Sequence, residues 1–153
     1  MKHGIQSQKV VAEVIKQKPT VRWLFLTLTV KNVYDGEELN KSLSDMAQGF
    51  RRMMQYKKIN KNLVGFMRAT EVTINNKDNS YNQHMHVLVC VEPTYFKNTE
   101  NYVNQKQWIQ FWKKAMKLDY DPNVKVQMIR PKNKYKSDIQ SAIDETAKYP
   151  VKD

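Results

Sequence analysis

Cysteine is nearly missing from this chain: Cys90 is the only one. A lone thiol excludes an internal disulfide and a cysteine-rich zinc site, and it fits a reducing compartment. Glycine and proline are scarce as well, 4 and 5 in 153 residues. Short connections follow, and neither a low-complexity tract nor an internal repeat is visible. No apolar run approaches the ~18–20 residues that span a bilayer, so no membrane partner is expected. The start, Met1-Lys2-His3-Gly4, lacks the apolar segment and cleavage site of a signal peptide. Acidic residues are outnumbered, 15 against 26 Lys plus Arg, which leaves a formal net charge of +11. That excess points to a polyanionic partner, most simply nucleic acid. What remains is 41% hydrophobic and 10% aromatic, enough for one packed domain and against global disorder.

Residues 1–20 are polar with a partial apolar stripe (Val11, Val14, Ile15) and read as an N-terminal arm or a short helix. Trp23 to Lys31 is dense in β-formers and reads as a buried strand. Asp35 and Glu38 are spaced as a capping box. Behind them Leu39, Leu43, Met46, Phe50 and Met53 recur at helical spacing, and this helix should fade near Lys57-Lys58. Leu63 to Ile74 and His84 to Glu92 read as two strands joined at the turn-forming run Asn75–Ser80, hence a hairpin. Trp108, Phe111, Trp112, Ala115 and Met116 mark a helix over about 104–117, with the aromatics in the core rather than stacking on bases. Val124 to Arg130 alternates as a fourth strand. Ser137 to Gln140 opens a last helix that buries Ile139, Ala142, Ile143 and Ala147 and stops at Pro150. The order β-α-β-β-α-β-α predicts an α+β fold with a central antiparallel sheet and packed helices.

His84-Met85-His86 is the informative triplet. Side chains at i and i+2 on a strand share a face, so both imidazoles project together while Met85, Val87, Val89 and Val91 form an apolar stripe on the other side. A four-residue loop at Lys77–Ser80 pairs Asn76 with Tyr81 and sets Glu71 opposite His86; a two-residue slip sets it opposite His84 instead. Either register gathers two histidines and one carboxylate, a facial ligand set that leaves positions open on a divalent metal. His3, in the arm, is no ligand candidate. Near the end of the chain, Glu145 and Tyr149 are i and i+4, adjacent on one helical face, with Lys148 and Lys152 beside them. A phenol with a pKa of ~10 is a poor nucleophile without a cation or base close by. The run Arg130-Pro131-Lys132-Asn133-Lys134-Tyr135-Lys136 has the composition of a groove that tracks a single strand.

Taken in order, Phe25-Leu26-Thr27-Leu28-Thr29, Gln83-His84-Met85-His86-Val87-Leu88-Val89 and Glu145-x-x-x-Tyr149-x-x-Lys152 resemble the replication initiators of small rolling-circle plasmids of Gram-positive bacteria. These are HUH endonucleases, and the match is to the branch with a Glu four residues before the catalytic Tyr. The resemblance covers about residues 22–153. It implies an HUH nuclease fold with a ferredoxin- or RRM-like core, the metal site on an exposed sheet face and the Tyr helix across it. It implies His84, His86 and Glu71 as ligands of Mn²⁺ or Mg²⁺, Tyr149 as nucleophile and Glu145 as the group that activates water. Lys148, Lys152, Arg130, Lys132 and Lys134 would contact DNA, and Thr27 and Thr29 receive no chemical role. The expected domains are an arm or short helix at 1–20 and a nicking domain at 21–153, trimmed from a longer protein. The expected partner is single-stranded DNA at a plasmid double-strand origin, with the host helicase and polymerase, in the bacterial cytoplasm. Rival readings are a conjugative relaxase, an iron(II) oxygenase with the same ligand set, and a non-catalytic nucleic-acid-binding module.

Overall fold

The structure is a computed structural model that describes residues 2–129. Helix α1 (Lys2–Gln17) leads into strand β1 (Arg22–Thr29), followed by α2 (Gly36–Met54), the single turn α3 (Lys57–Asn60), β2 (Leu63–Ile74), β3 (Tyr81–Val91), a 3₁₀ turn at Pro93–Phe96, α4 (Gln105–Met116) and β4 (Val124–Ile129). The four strands form one antiparallel sheet in the order β2-β3-β1-β4. This is the α+β architecture the element order predicts. The last predicted helix, from Ser137 to Pro150, lies outside the described residues.

Alternation divides the sheet into two faces. On β1, Leu24, Leu26 and Leu28 are fully buried on one side and join Met85, Val87, Val89 and Val91 of β3 in the main core. Helices α2 and α4 cover this side. Asp35 starts α2 by accepting a hydrogen bond from the Glu38 amide at 2.8 Å, and Met46, Phe50 and Met53 are the buried face of that helix. Gly49 lets α2 approach α4, since a Cβ there would overlap the Met116 thioether. Asn104 and Gln107 make a reciprocal capping box at the start of α4. Trp108 and Trp112 are fully buried, and each indole N–H finds an acceptor, the Tyr95 hydroxyl and the Thr29 carbonyl respectively. The tryptophans are therefore core, as their spacing suggests, and each contributes through large buried area with its polar handle satisfied.

Of the two forms left open for residues 1–20, the structure has the helix, α1, and it is docked: Val11 is 2% exposed, and Val14 and Ile15 pack with it on Val21, Trp23, Leu88, Cys90 and Ile129. Part of the second face of the sheet is thus covered by α1. The hairpin loop lies one residue earlier than Lys77–Ser80, which selects the second of the two registers left open by the sequence. Asn75 pairs with Ser80 (N···O 2.8 Å), and the Asn75 and Asp78 side chains accept from the amides of Lys77 and Ser80. Asn79 takes the left-handed backbone conformation (φ 59°) that closes the loop. Asparagine tolerates that region and makes such local bonds. Moving the loop by one residue moves the register by two, so Ala69 faces His86 and Glu71 faces His84.

Candidate metal centre on the sheet

The open half of the second face carries the polar residues. β3 presents His84 and His86, β2 presents Glu71, and β1 presents Thr27 opposite His86 and Thr29 opposite His84. Because strand side chains alternate, all five lie on the side away from α2 and α4. The two-residue register difference does not separate the trio. Glu71 reaches diagonally across the hairpin, and its Oε1 lies 3.2 Å from His86 Nε2. Diagonal neighbours remain within reach of long side chains. The two imidazoles stand nearly parallel, 6.1 Å between centroids.

The surroundings hold these rings. His86 is 8% exposed, its Nδ1 is 3.4 Å from Thr27 Oγ1, and Phe25 stacks beside it at 5.9 Å. Burial, first of all, holds His84 below the usual imidazole value of 6.5. The neighbouring charges of His86 and Lys125 act the same way, and Glu71 opposes them. A depressed pKa keeps His84 neutral near pH 7, the form that binds metal. Its Nδ1 is buried without a hydrogen-bond partner among the described residues.

Among the described residues no group of three or more His, Cys, Asp or Glu side chains is arranged to hold an ion, and Glu71 bonds His86 directly. By chemistry alone, two imidazoles and a carboxylate are donors that a divalent ion accepts. Neighbouring ligands of an octahedral ion with bonds of about 2.1 Å are ~3 Å apart, and His86 Nε2 and Glu71 Oε1 are separated by 3.2 Å. The orphaned nitrogen of His84 is a second polar group in want of a partner.

Of the residues singled out from sequence, the structure brings His84, His86 and Glu71 together. Tyr149, Glu145, Lys148, Lys152, Arg130, Lys132 and Lys134 lie outside the described residues. Three neighbours of the site were given no role by sequence reasoning: Phe25 and Thr27, quoted only as part of the first motif, and Lys125. Lys125 pairs with Thr27 across β1 and β4, and its signal was present in the alternation Val124-Lys125-Val126, which turns it away from the core.

Comparison with known proteins extends this picture. The profile of the Rep_1 family, described as a replication protein, matches residues 1–153. A "Protein rep" of Lactiplantibacillus plantarum is 47% identical over 153 residues, 99% of this chain and 48% of that protein. A "Protein rep" of Streptococcus pneumoniae is 44% identical over 153 residues, 99% of this chain and 47% of that protein. A "Protein rep" of Staphylococcus aureus is 33% identical over 141 residues, 92% of this chain and 58% of that protein. The chain thus spans about half the length of the first curated relatives it matches. One solved structure, that of the hypothetical protein ORF119 from Sulfolobus islandicus rod-shaped virus 1, superposes with a TM-score of 0.47 at 15% identity over 94% of this chain and 98% of that one.

Proposed function

The chain belongs to the Rep_1 family of replication proteins, and from that premise we propose that it nicks and rejoins single-stranded DNA to start rolling-circle replication of a plasmid. The observation that carries the reading is the gathering of His84, His86 and Glu71 on one sheet face, with His86 and Glu71 in contact at 3.2 Å.

In this reading His84, His86 and Glu71 would hold Mn²⁺ or Mg²⁺, which would supply polarisation of the scissile phosphate and offset charge on its oxygens. The Tyr149 hydroxyl attacks phosphorus in line. A phosphotyrosyl bond forms to the 5′ side, the bond to the 3′ oxygen breaks, and the proton lost by the phenol is balanced, through solvent, by the one the leaving 3′ oxygen takes up. One phosphodiester replaces another, so the step needs no ATP and runs in both directions. Glu145 takes the proton from the water that later releases the strand. Lys148, Lys152, Arg130, Lys132 and Lys134 contact backbone phosphates, and the net charge of +11 makes binding fall steeply with salt. The free 3′ end primes the host polymerase, with the host helicase opening the duplex, in the bacterial cytoplasm.

Incubation with Mn²⁺ and a labelled single strand from a candidate plasmid origin tests this directly. The expected product is a protein–DNA adduct that survives SDS and is lost in Tyr149→Phe. An adduct that persists in Tyr149→Phe overturns the nucleophile assignment.

A further inference from the structure

Thr27 lies beside the histidine pair without a task in the chemistry above. It faces His86 across β1 and β3, with Oγ1 3.4 Å from His86 Nδ1, the long end of a hydrogen bond. The other ring nitrogen, Nε2, is 3.2 Å from Glu71 Oε1. Phe25 stacks beside the ring, 12° from parallel, and the two ring nitrogens face different neighbours.

Those neighbours impose unequal demands. A carboxylate only accepts hydrogen bonds, so Nε2 carries the hydrogen while it touches Glu71. Nδ1 of the neutral ring then accepts, and its partner must donate. An ion at Nε2 needs the lone pair there. The hydrogen must then sit on Nδ1, and the partner must accept. A hydroxyl does both, whereas a carbonyl or carboxylate does not.

We infer that Thr27 is a positioning residue for the metal centre, its hydroxyl turning from donor to acceptor as His86 changes tautomer on ion binding. The ring's proton count is unchanged: one proton leaves Nε2 for solvent, another arrives from solvent at Nδ1, and the Thr27 O–H rotates away. The inference rests on reading His84, His86 and Glu71 as metal ligands.

The test uses the 153-residue chain with isotope-labelled histidine at about pH 8, above the usual imidazole range. Mg²⁺ is the probe for NMR and Mn²⁺ the probe for affinity. The expected His86 tautomer carries hydrogen on Nε2 without ion and on Nδ1 at saturating Mg²⁺. Thr27→Val should weaken Mn²⁺ binding roughly 10–100-fold, while Thr27→Ser should restore it to within about threefold. Wild-type Mn²⁺ affinity in a folded Thr27→Val, or an ion-bound His86 that keeps its hydrogen on Nε2, overturns the inference and leaves the metal centre standing. If neither ion moves the His84 or His86 signals of the wild type, the metal reading itself falls, and the inference with it. Should Thr27→Val fail to fold, the wild-type tautomer measurement decides alone.

Discussion

The two faces of the sheet are made by the same strands and have different tasks. On one, Leu24, Leu26, Leu28, Met85, Val87 and Val89 are fully shielded or nearly so, and two tryptophan-bearing helix turns fill the space above them. On the other, a small cluster under α1 shares the surface with histidines, a carboxylate, threonines and a lysine. The contrast shows how a two-residue period lets one strand, β3, supply core and chemistry in alternate positions. Stability is concentrated on the first face, so the second can carry polar groups whose burial gains nothing for folding.

Breaking the first face should cost most. Trp108→Ala removes a fully buried indole and its bond to the Tyr95 hydroxyl, and about 3–5 kcal/mol of stability should be lost in urea denaturation. On the second face the apolar patch is smaller. Val11→Ala should cost about 1–2 kcal/mol, two methyl groups' worth of burial, and should speed thiol labelling of Cys90. Burial pushes the Cys90 thiol up to about 12, so at pH 8 the wild-type protein should label very slowly. Rapid wild-type labelling would mean that α1 does not stay docked.

Glu71→Gln sharpens the contrast differently. The amide can still bond His86, so stability should change by less than about 1 kcal/mol. Mn²⁺ affinity measured by calorimetry should nevertheless fall by more than the ~10–100-fold typical of an outer-sphere partner. The smallest effect concerns pH. His84 titrates below its ordinary 6.5 in the folded protein, so the unfolded chain binds its proton first as pH falls. The stability that a neutral His84 preserves is complete above about 6.5 and is lost as pH drops through the lowered folded value. His84→Gln should therefore flatten the stability profile below about pH 6.5. An unchanged slope would show that His84 is solvated.

Much of this was visible along the chain. Leu63–Ile74 is bounded in the structure as its composition predicts, and the helical spacing of Trp108, Trp112 and Ala115 marks their common burial. The sharing of a face by His84 and His86 needs nothing but alternation. The docking of α1 was not visible, because three apolar residues at helical spacing say nothing about whether Trp23, Leu88 and Cys90 leave a complementary surface. The loop position was not visible either. Several turn formers in a row offer more than one four-residue loop, and the left-handed position falls on Asn79, beside the Asp78 side chain that accepts from the Ser80 amide.

Local chemistry along the chain was sufficient to determine which residues pair with solvent, which with core, and which two imidazoles project together, since these depend on periods of two and 3.6 residues. Only tertiary structure decided that Glu71 meets His86 diagonally, that Thr27 and Lys125 join them, and that α1 closes half the face. Those are relations between segments up to about a hundred residues apart, and they follow from register and docking, which no local period encodes.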